Sequence, residues 1–413
     1  MKQLKQQGYL YGALLYCFLI PLHQKWATIA LGLWLLLSFF SYAKLETNSK
    51  VSLILLPILY STYFLNFFIS DIPYHRFIET KLSFLIFPAL FFIHSYKKEE
   101  RQRMFKMLVF GLITAIVICV IAAFYHSLNR VDGSLVFQAN VLPDRGFFES
   151  ILYGGNYFFG RHFSFLHQTV YFSLYLCIGV AILLFQSKMF QTKTRILLLL
   201  LFVIAIFLIS NKANFIALAL LFMMYVLFAK VALKKKLIGV LGMGLVFAFF
   251  IWMNPRSHES LNKITEGALV INKDARFGFA TRILSWDAAI TLLQQKPILG
   301  YGSGETQQKL NEVYQQKDYK FPLKEKYNAH NLWLQTWLEN GLFGLLILCA
   351  IFAIAFKASF SVQEHRSLYL SLVVLLLINS MFESMFHRFS GITIFSFIIC
   401  LIFTIQKRDK AKA

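Results

Sequence analysis

The 413-residue chain is 58% hydrophobic, only 15% charged, and has a formal net charge of +21. Soluble domains are about a quarter charged, and with a mean hydropathy of +0.60 the composition excludes a soluble fold. Its basic residues punctuate apolar blocks and form no surface stripe, which argues against a nucleic-acid partner and for electrostatics at lipid headgroups.

Apolar runs close to the ~20 residues that cross a ~30 Å hydrocarbon core predict helices, in chain order, at 8–22, 26–43, 51–69, 77–96 and 104–125. A segment outside the membrane follows at about 126–166, then spans at 167–186, 195–210, 213–229 and 236–253. A larger external segment runs from 254 to 335, and spans at 336–356, 367–386 and 390–406 precede a basic tail. Helix is the reading for every run, because lipid offers the backbone no other hydrogen-bond partner. The expected fold class is thus an all-α polytopic membrane protein of about twelve transmembrane helices, organised as 1–253, 254–335 and 336–413. The first span is short and reads as an uncleaved helix, since no small-residue cleavage site follows it. The fourth carries Glu79 and Lys81; two apart, they do not share a helical face, and neither is assigned a role. Cys17, Cys119, Cys177, Cys349 and Cys400 all lie inside apolar runs, lack metal-ligand spacing and read as small hydrophobes.

Lys and Arg in the short connections set the orientation. With the N-terminus in the cytoplasm, the short external loops hold only Lys25, Arg76, Lys212 and Arg388, against 22 Lys and Arg in the cytoplasmic segments. Both termini are therefore expected inside. Of the ten histidines, only His94 and His365 fall on the cytoplasmic side. Titratable side chains gathered at the outer face without a topological need place the expected chemistry there.

Within 254–335, Thr281–Gln295 reads as an amphipathic helix that stops before Lys296-Pro297, and Asn328–Asn340 as a second, broken at Gly341. The strongest motif is His330-Asn331 at the head of that second helix, followed by Glu339-Asn340-Gly341 and Gly344. A neutral imidazole there can take a proton from a hydroxyl; the plainer alternative is an interfacial helix cap. Arg282, with Trp286 one turn later, can grip phosphate oxygens bidentately, or be a solvated helix face. Gly300-Tyr301-Gly302-Ser303-Gly304 lacks the Lys-Ser/Thr of a phosphate-binding loop and reads as a turn. Lys212, in the hinge Ser210-Asn211-Lys212, is a candidate anion ligand or a snorkelling lysine. Glu383, near the outer end of a span and one turn before His387, is a functional candidate or a partner of Arg388. Arg161, His162 and His167 are candidates to line the same outer cavity, or solvated loop residues. The external segments contain no Asp-x-Asp, Glu-x-Asp or His-x-x-x-His pattern, so no metal ligands and no cofactor are assigned.

Two sets of residues, in this order and in this topological slot, resemble the bacterial O-antigen ligase and polymerase superfamily, most closely the ligases. They are Arg282-x-x-x-Trp286 with Pro297-Ile298-Leu299-Gly300-x-Gly302, and His330-Asn331-x-x-Leu334 with Glu339-x-Gly341-x-x-Gly344. The resemblance implies a GT-C-like glycosyltransferase architecture in the bacterial inner membrane, with its active site facing the periplasm. It implies a glycan donor on undecaprenyl diphosphate, the sugar core of lipid A as acceptor, and transfer without metal or nucleotide. His330 would then deprotonate or orient the acceptor hydroxyl, and Arg282 would bind the diphosphate. The family usually has an arginine in the hinge that here carries Lys212, which keeps the charge but loses the bidentate fork. A repeat-unit polymerase and a protein O-glycosyltransferase are the related alternatives. A polysaccharide or lipid transporter is the alternative of another class, and it would be expected to show repeated halves and broken helices at the midplane.

Overall fold

The computed structural model describes residues 2–41, 51–69, 75–142, 144–152, 155–228, 232–253, 273–276, 278–362 and 365–405. The first part of the segment expected outside the membrane, 254–272, and the basic tail from 406 onward lie outside the described residues. The chain is predominantly helical, and each predicted apolar run falls on a helix. By length and composition, three helices among the described residues are able to cross a membrane: Lys98–Ser127, Thr192–Ile209 and Leu332–Ser361. Shorter apolar helices include Gln24–Phe40, Thr169–Phe185, Lys212–Phe228, Arg366–Phe382 and Phe389–Phe403.

The chain divides into two compact units, Met1–Tyr42 with Lys97–Glu266, and Ala43–Tyr96 with Gly267–Ala413. In the first, Lys2–Leu19 and Gln24–Phe40 form a helical hairpin that packs against Lys98–Ser127. Thr169–Phe185 is the central helix, buried from Val170 to Leu184 and flanked by Thr192–Ile209 and Lys212–Phe228. The flanking helices turn large apolar side chains outward (Ile196, Leu197, Leu200, Ile204 and Ile216). Such surfaces suit a lipid border, where no water need be met. The segment at 126–166 is not wholly irregular. It holds an antiparallel hairpin of Leu128–Val131 and Ser134–Phe137 and two short helices, Phe147–Leu152 and Gly160–Phe163. The hairpin turns at Asp132-Gly133, both at positive φ (50° and 80°), a dipeptide suited to that turn.

In the second unit, Phe389–Phe403 is buried along nearly its whole length against Ser83–Ile93, Leu332–Ser361 and Arg366–Phe382. The run predicted as one helix at 77–96 is two, His75–Thr80 and Ser83–Ile93, parted by a turn at Lys81-Leu82. The expected helix at Thr281–Gln295 is present as Phe279–Gln295, and Gly302–Gln316 and Lys320–Lys324 accompany it. The first two share a core built from Leu284, Ala288, Leu292, Leu310, Val313 and Tyr314, and Leu323 of the third packs against it. Each fully buried aliphatic side chain contributes about 1.5–3 kcal/mol, so the segment holds a shape of its own. Lys317 and the Tyr319 hydroxyl both bond the Asp287 carboxylate, at 2.6 and 2.8 Å, and tie its ends together.

Candidate functional site

The two glycine motifs meet through their backbones. Helix Leu332–Ser361 breaks at Gly341 (φ 64°, ψ −166°), where the sequence predicts a break. Pro297–Gly302 lies across the kink: Leu342 N donates to Ile298 O at 2.9 Å and Tyr301 N to Leu338 O at 2.7 Å. A Cβ at Gly341 would fall on the Ile298 carbonyl, and one at Gly300 on the Leu338 carbonyl. Side chains are absent at both positions because two main chains occupy that space.

Ahead of the kink, Asn331 caps the helix, its side-chain oxygen accepting from Trp333 N (2.9 Å) and Leu334 N (3.1 Å). The cap is thus made by Asn331, whereas the plainer alternative gave that part to His330. His330, one residue earlier, is held at φ 43°, a region that non-glycine residues occupy only when their surroundings compel it. The surroundings here are explicit. His330 N donates to Asn328 Oδ1 at 2.9 Å and Ala329 N to Gln335 Oε1 at 2.9 Å. The Tyr327 carbonyl accepts from Tyr314 Oη at 3.0 Å, and the Tyr327 ring meets the imidazole edge-on, 5.0 Å between centroids.

The His330 ring then faces Glu383, with Nδ1 3.4 Å from Oε2. A carboxylate only accepts, so Nδ1 carries the proton and Nε2 presents its lone pair. Glu383 is buried, just past helix Arg366–Phe382. Arg282 approaches from Phe279–Gln295, its Nε donating to Phe382 O at 2.9 Å. Burial pushes the Arg282 guanidinium below its ordinary range, while the Glu383 carboxylate and Tyr327 act in the opposite direction. Its Nη2 has no hydrogen bond among the described residues. Trp286 packs on Phe279 and Phe382, at 5.7 and 6.4 Å between centroids. Arg388 is exposed at the head of Phe389–Phe403 and acts electrostatically on Glu383. Arg282, His330 and Glu383 are thus one constellation, a histidine hydrogen-bonded to a buried carboxylate on which an arginine acts electrostatically.

A second polar group lies on the same helices. His387 Nε2 is 2.6 Å from Glu339 Oε1, which also accepts from Gln335 Nε2 at 2.6 Å. Lys81, fully buried, donates to Phe386 O at 2.9 Å, lies 4.4 Å from the Tyr63 ring centroid and acts electrostatically on Glu339. Sequence reasoning passed over Lys81 as unplaced. The available signal was a lysine inside an apolar run, costly without a partner.

The remaining candidates belong to the first unit. Lys212 is exposed at the start of helix Lys212–Phe228, behind Ser210 in the left-handed conformation (φ 56°). A lysine at the positive end of a helix dipole opposes helix stability, so the helix itself does not account for it. Asn211 Oδ1 accepts from Asn214 N at 3.2 Å and so caps that helix. Arg161 is exposed, its Nε 3.4 Å from the His162 ring nitrogen. His167 is different: it is buried against Tyr175, 5.3 Å between ring centroids, so a solvated loop position does not describe it.

Residues 196–349 match the family model described as O-antigen ligase (Wzy_C). The similarity to the O-antigen ligase and polymerase superfamily, expected from the motifs, holds over this stretch. It takes in Lys212, Arg282, Trp286, His330 and Asn331, and leaves out Arg161, His162, His167, Glu383 and Arg388. No curated protein matches the chain.

Proposed function

We propose that the chain is an O-antigen ligase. In this reading it moves a glycan from undecaprenyl diphosphate to a sugar hydroxyl of lipid A core, on the periplasmic face of the inner membrane. The observation that carries the reading is the His330–Glu383 hydrogen bond, with Arg282 bonded to the adjoining Phe382 carbonyl and acting electrostatically on the same carboxylate. The acceptor hydroxyl gives its proton to His330 Nε2, and the oxygen attacks the anomeric carbon. The carbon–oxygen bond to the diphosphate breaks, and its electron pair leaves with the polyprenyl diphosphate. Attack opposite the leaving group inverts the anomeric centre. Glu383 holds the ring in the tautomer that leaves Nε2 open and stabilises the imidazolium. Arg282 takes the charge that develops on the diphosphate, a role suited to a partly buried guanidinium with donors left over. Trp286, one turn along the same helix, packs on Phe279 and Phe382 and adds apolar surface beside the site. Lys212, at the positive end of its helix, offers a second place for an anionic group, with Arg161 and His162 as further donor contacts.

Purified protein given a labelled undecaprenyl-diphosphate glycan and lipid A core tests this. Transfer is expected with wild type and in the presence of EDTA, and is expected to be lost in His330→Ala and Arg282→Ala proteins that still accumulate. Normal transfer by either variant removes that residue from the mechanism, and strict dependence on an added divalent ion contradicts the route through side chains alone.

A further inference from the structure

We infer that Glu339 and His387, backed by Lys81, form a positioning element that holds the His330 turn in the geometry needed for proton transfer. The inference rests on the glycosyl-transfer reading above.

The hydrogen bonds leave only one consistent arrangement. The His330 N–H fixes the amide of Asn328, whose oxygen must face it. The Asn328 Nδ2 then faces His387 Nδ1, at 3.5 Å. An amide nitrogen only donates, so Nδ1 accepts and carries no proton. Nε2 is therefore the protonated nitrogen, and it donates to Glu339 Oε1 at 2.6 Å. The same oxygen accepts from Gln335, whose own oxygen accepts from Ala329 N. The chain of bonds runs Asn328, His387, Glu339, Gln335, Ala329 and closes on the two residues that precede His330. It engages the backbone N–H groups of Ala329 and His330, so the residue Ala329 is fixed on both sides. This is the kind of surrounding that a non-glycine residue at positive φ requires.

The charge in this ring has a cost that a purely mechanical anchor would avoid. Glu339 is 1% exposed, and its Oε2 is buried with no hydrogen-bond partner among the described residues. Removing a carboxylate from water is expensive even opposite a cation, and apolar packing of the same volume often does as well for stability. A carboxylate with two donors on one oxygen fixes directions that an apolar layer cannot. His387 is not a proton carrier to His330 in this arrangement, because Asn328 stands between them and an amide does not relay protons.

The test uses the purified full chain in the transfer assay. His387→Ala is expected to lower kcat on the order of ten- to a hundredfold, as displacement of a reacting group does, with KM for the donor unchanged within about twofold. His387→Gln is expected to recover part of the loss, because its amide N–H can replace Nε2–H toward Glu339. Glu339→Gln is expected to lower kcat as well, since it removes the charge that acts electrostatically on Lys81. Wild-type kcat in His387→Ala overturns the inference. So does His387→Gln as inactive as His387→Ala when both accumulate and melt like wild type, because that pattern belongs to a proton carrier. Should His387→Ala fail to accumulate, unchanged kcat in both glutamine variants overturns it. An inactive wild type refutes the glycosyl-transfer reading itself. Active wild type, inactive His330→Ala and unchanged His387→Ala refute the positioning role alone.

Discussion

Whether a side chain between 273 and 335 can act depends on which of its atoms are already committed. Asn331 has its oxygen on two backbone N–H groups, whereas His330 commits only Nδ1 and Arg282 only part of its fork. Arg282, His330 and Asn331 stood out in the sequence because histidine and arginine beside periodic apolar positions are visible locally. The Glu383 pairing was not legible, since Arg388, its nearest cation in sequence, was the more obvious partner. Lys81 was less legible still: the carboxylate it interacts with electrostatically is Glu339, far along the chain, and no local spacing links them. At this scale the sharpest prediction concerns Glu383→Gln. The amide keeps the shape but can no longer stabilise an imidazolium, and its N–H favours the wrong tautomer. A loss of about a hundredfold or more in kcat is expected with normal accumulation. An unchanged kcat would remove Glu383 from the base.

Among the helices, the apolar runs were readable because burial in lipid demands length and hydropathy, and both are local properties. The break at Gly341 was readable from Asn340-Gly341. The hairpin at 128–137 was missed although Asp132-Gly133 marks it, because its strands of four residues carry no burial alternation. The helix Gly302–Gln316 was missed because its glycine-rich start reads as a turn. The crossing of Pro297–Gly302 over Gly341 gives the element-scale prediction. Gly341→Ala forces a side chain into φ 64° and against the Ile298 carbonyl. A cost of at least about 1–3 kcal/mol is expected, read as a lower melting temperature of detergent-solubilised protein together with reduced transfer. A melting temperature equal to that of wild type would show that the crossing is not as close as described.

For the molecule as a whole, hydropathy says which segments are helices and little about which helices group. The runs at 51–69 and 77–96 join the C-terminal helices in one unit, an arrangement that no local pattern announced. The charge asymmetry carries a prediction of its own: both termini inside and the 254–335 segment outside. Reporters fused after Ala413, and a cysteine at Ser303 probed with an impermeant thiol reagent on whole cells, separate the two faces. A cytoplasmic C-terminus with labelling at 303 is expected; labelling only after lysis would invert the topology and move the site away from the periplasm.

In the proposed reading this membrane scaffold transfers a finished glycan by way of His330. The lipopolysaccharide profile of a strain lacking the gene, complemented with wild type or with His330→Ala, tests it most directly. Long glycans retained on polyprenol and bare lipid A core are expected in the deletion, with full correction by wild type and none by an equally abundant His330→Ala. Core carrying single repeats would point to a polymerase instead, and an unaltered profile, or correction by His330→Ala, would contradict the account.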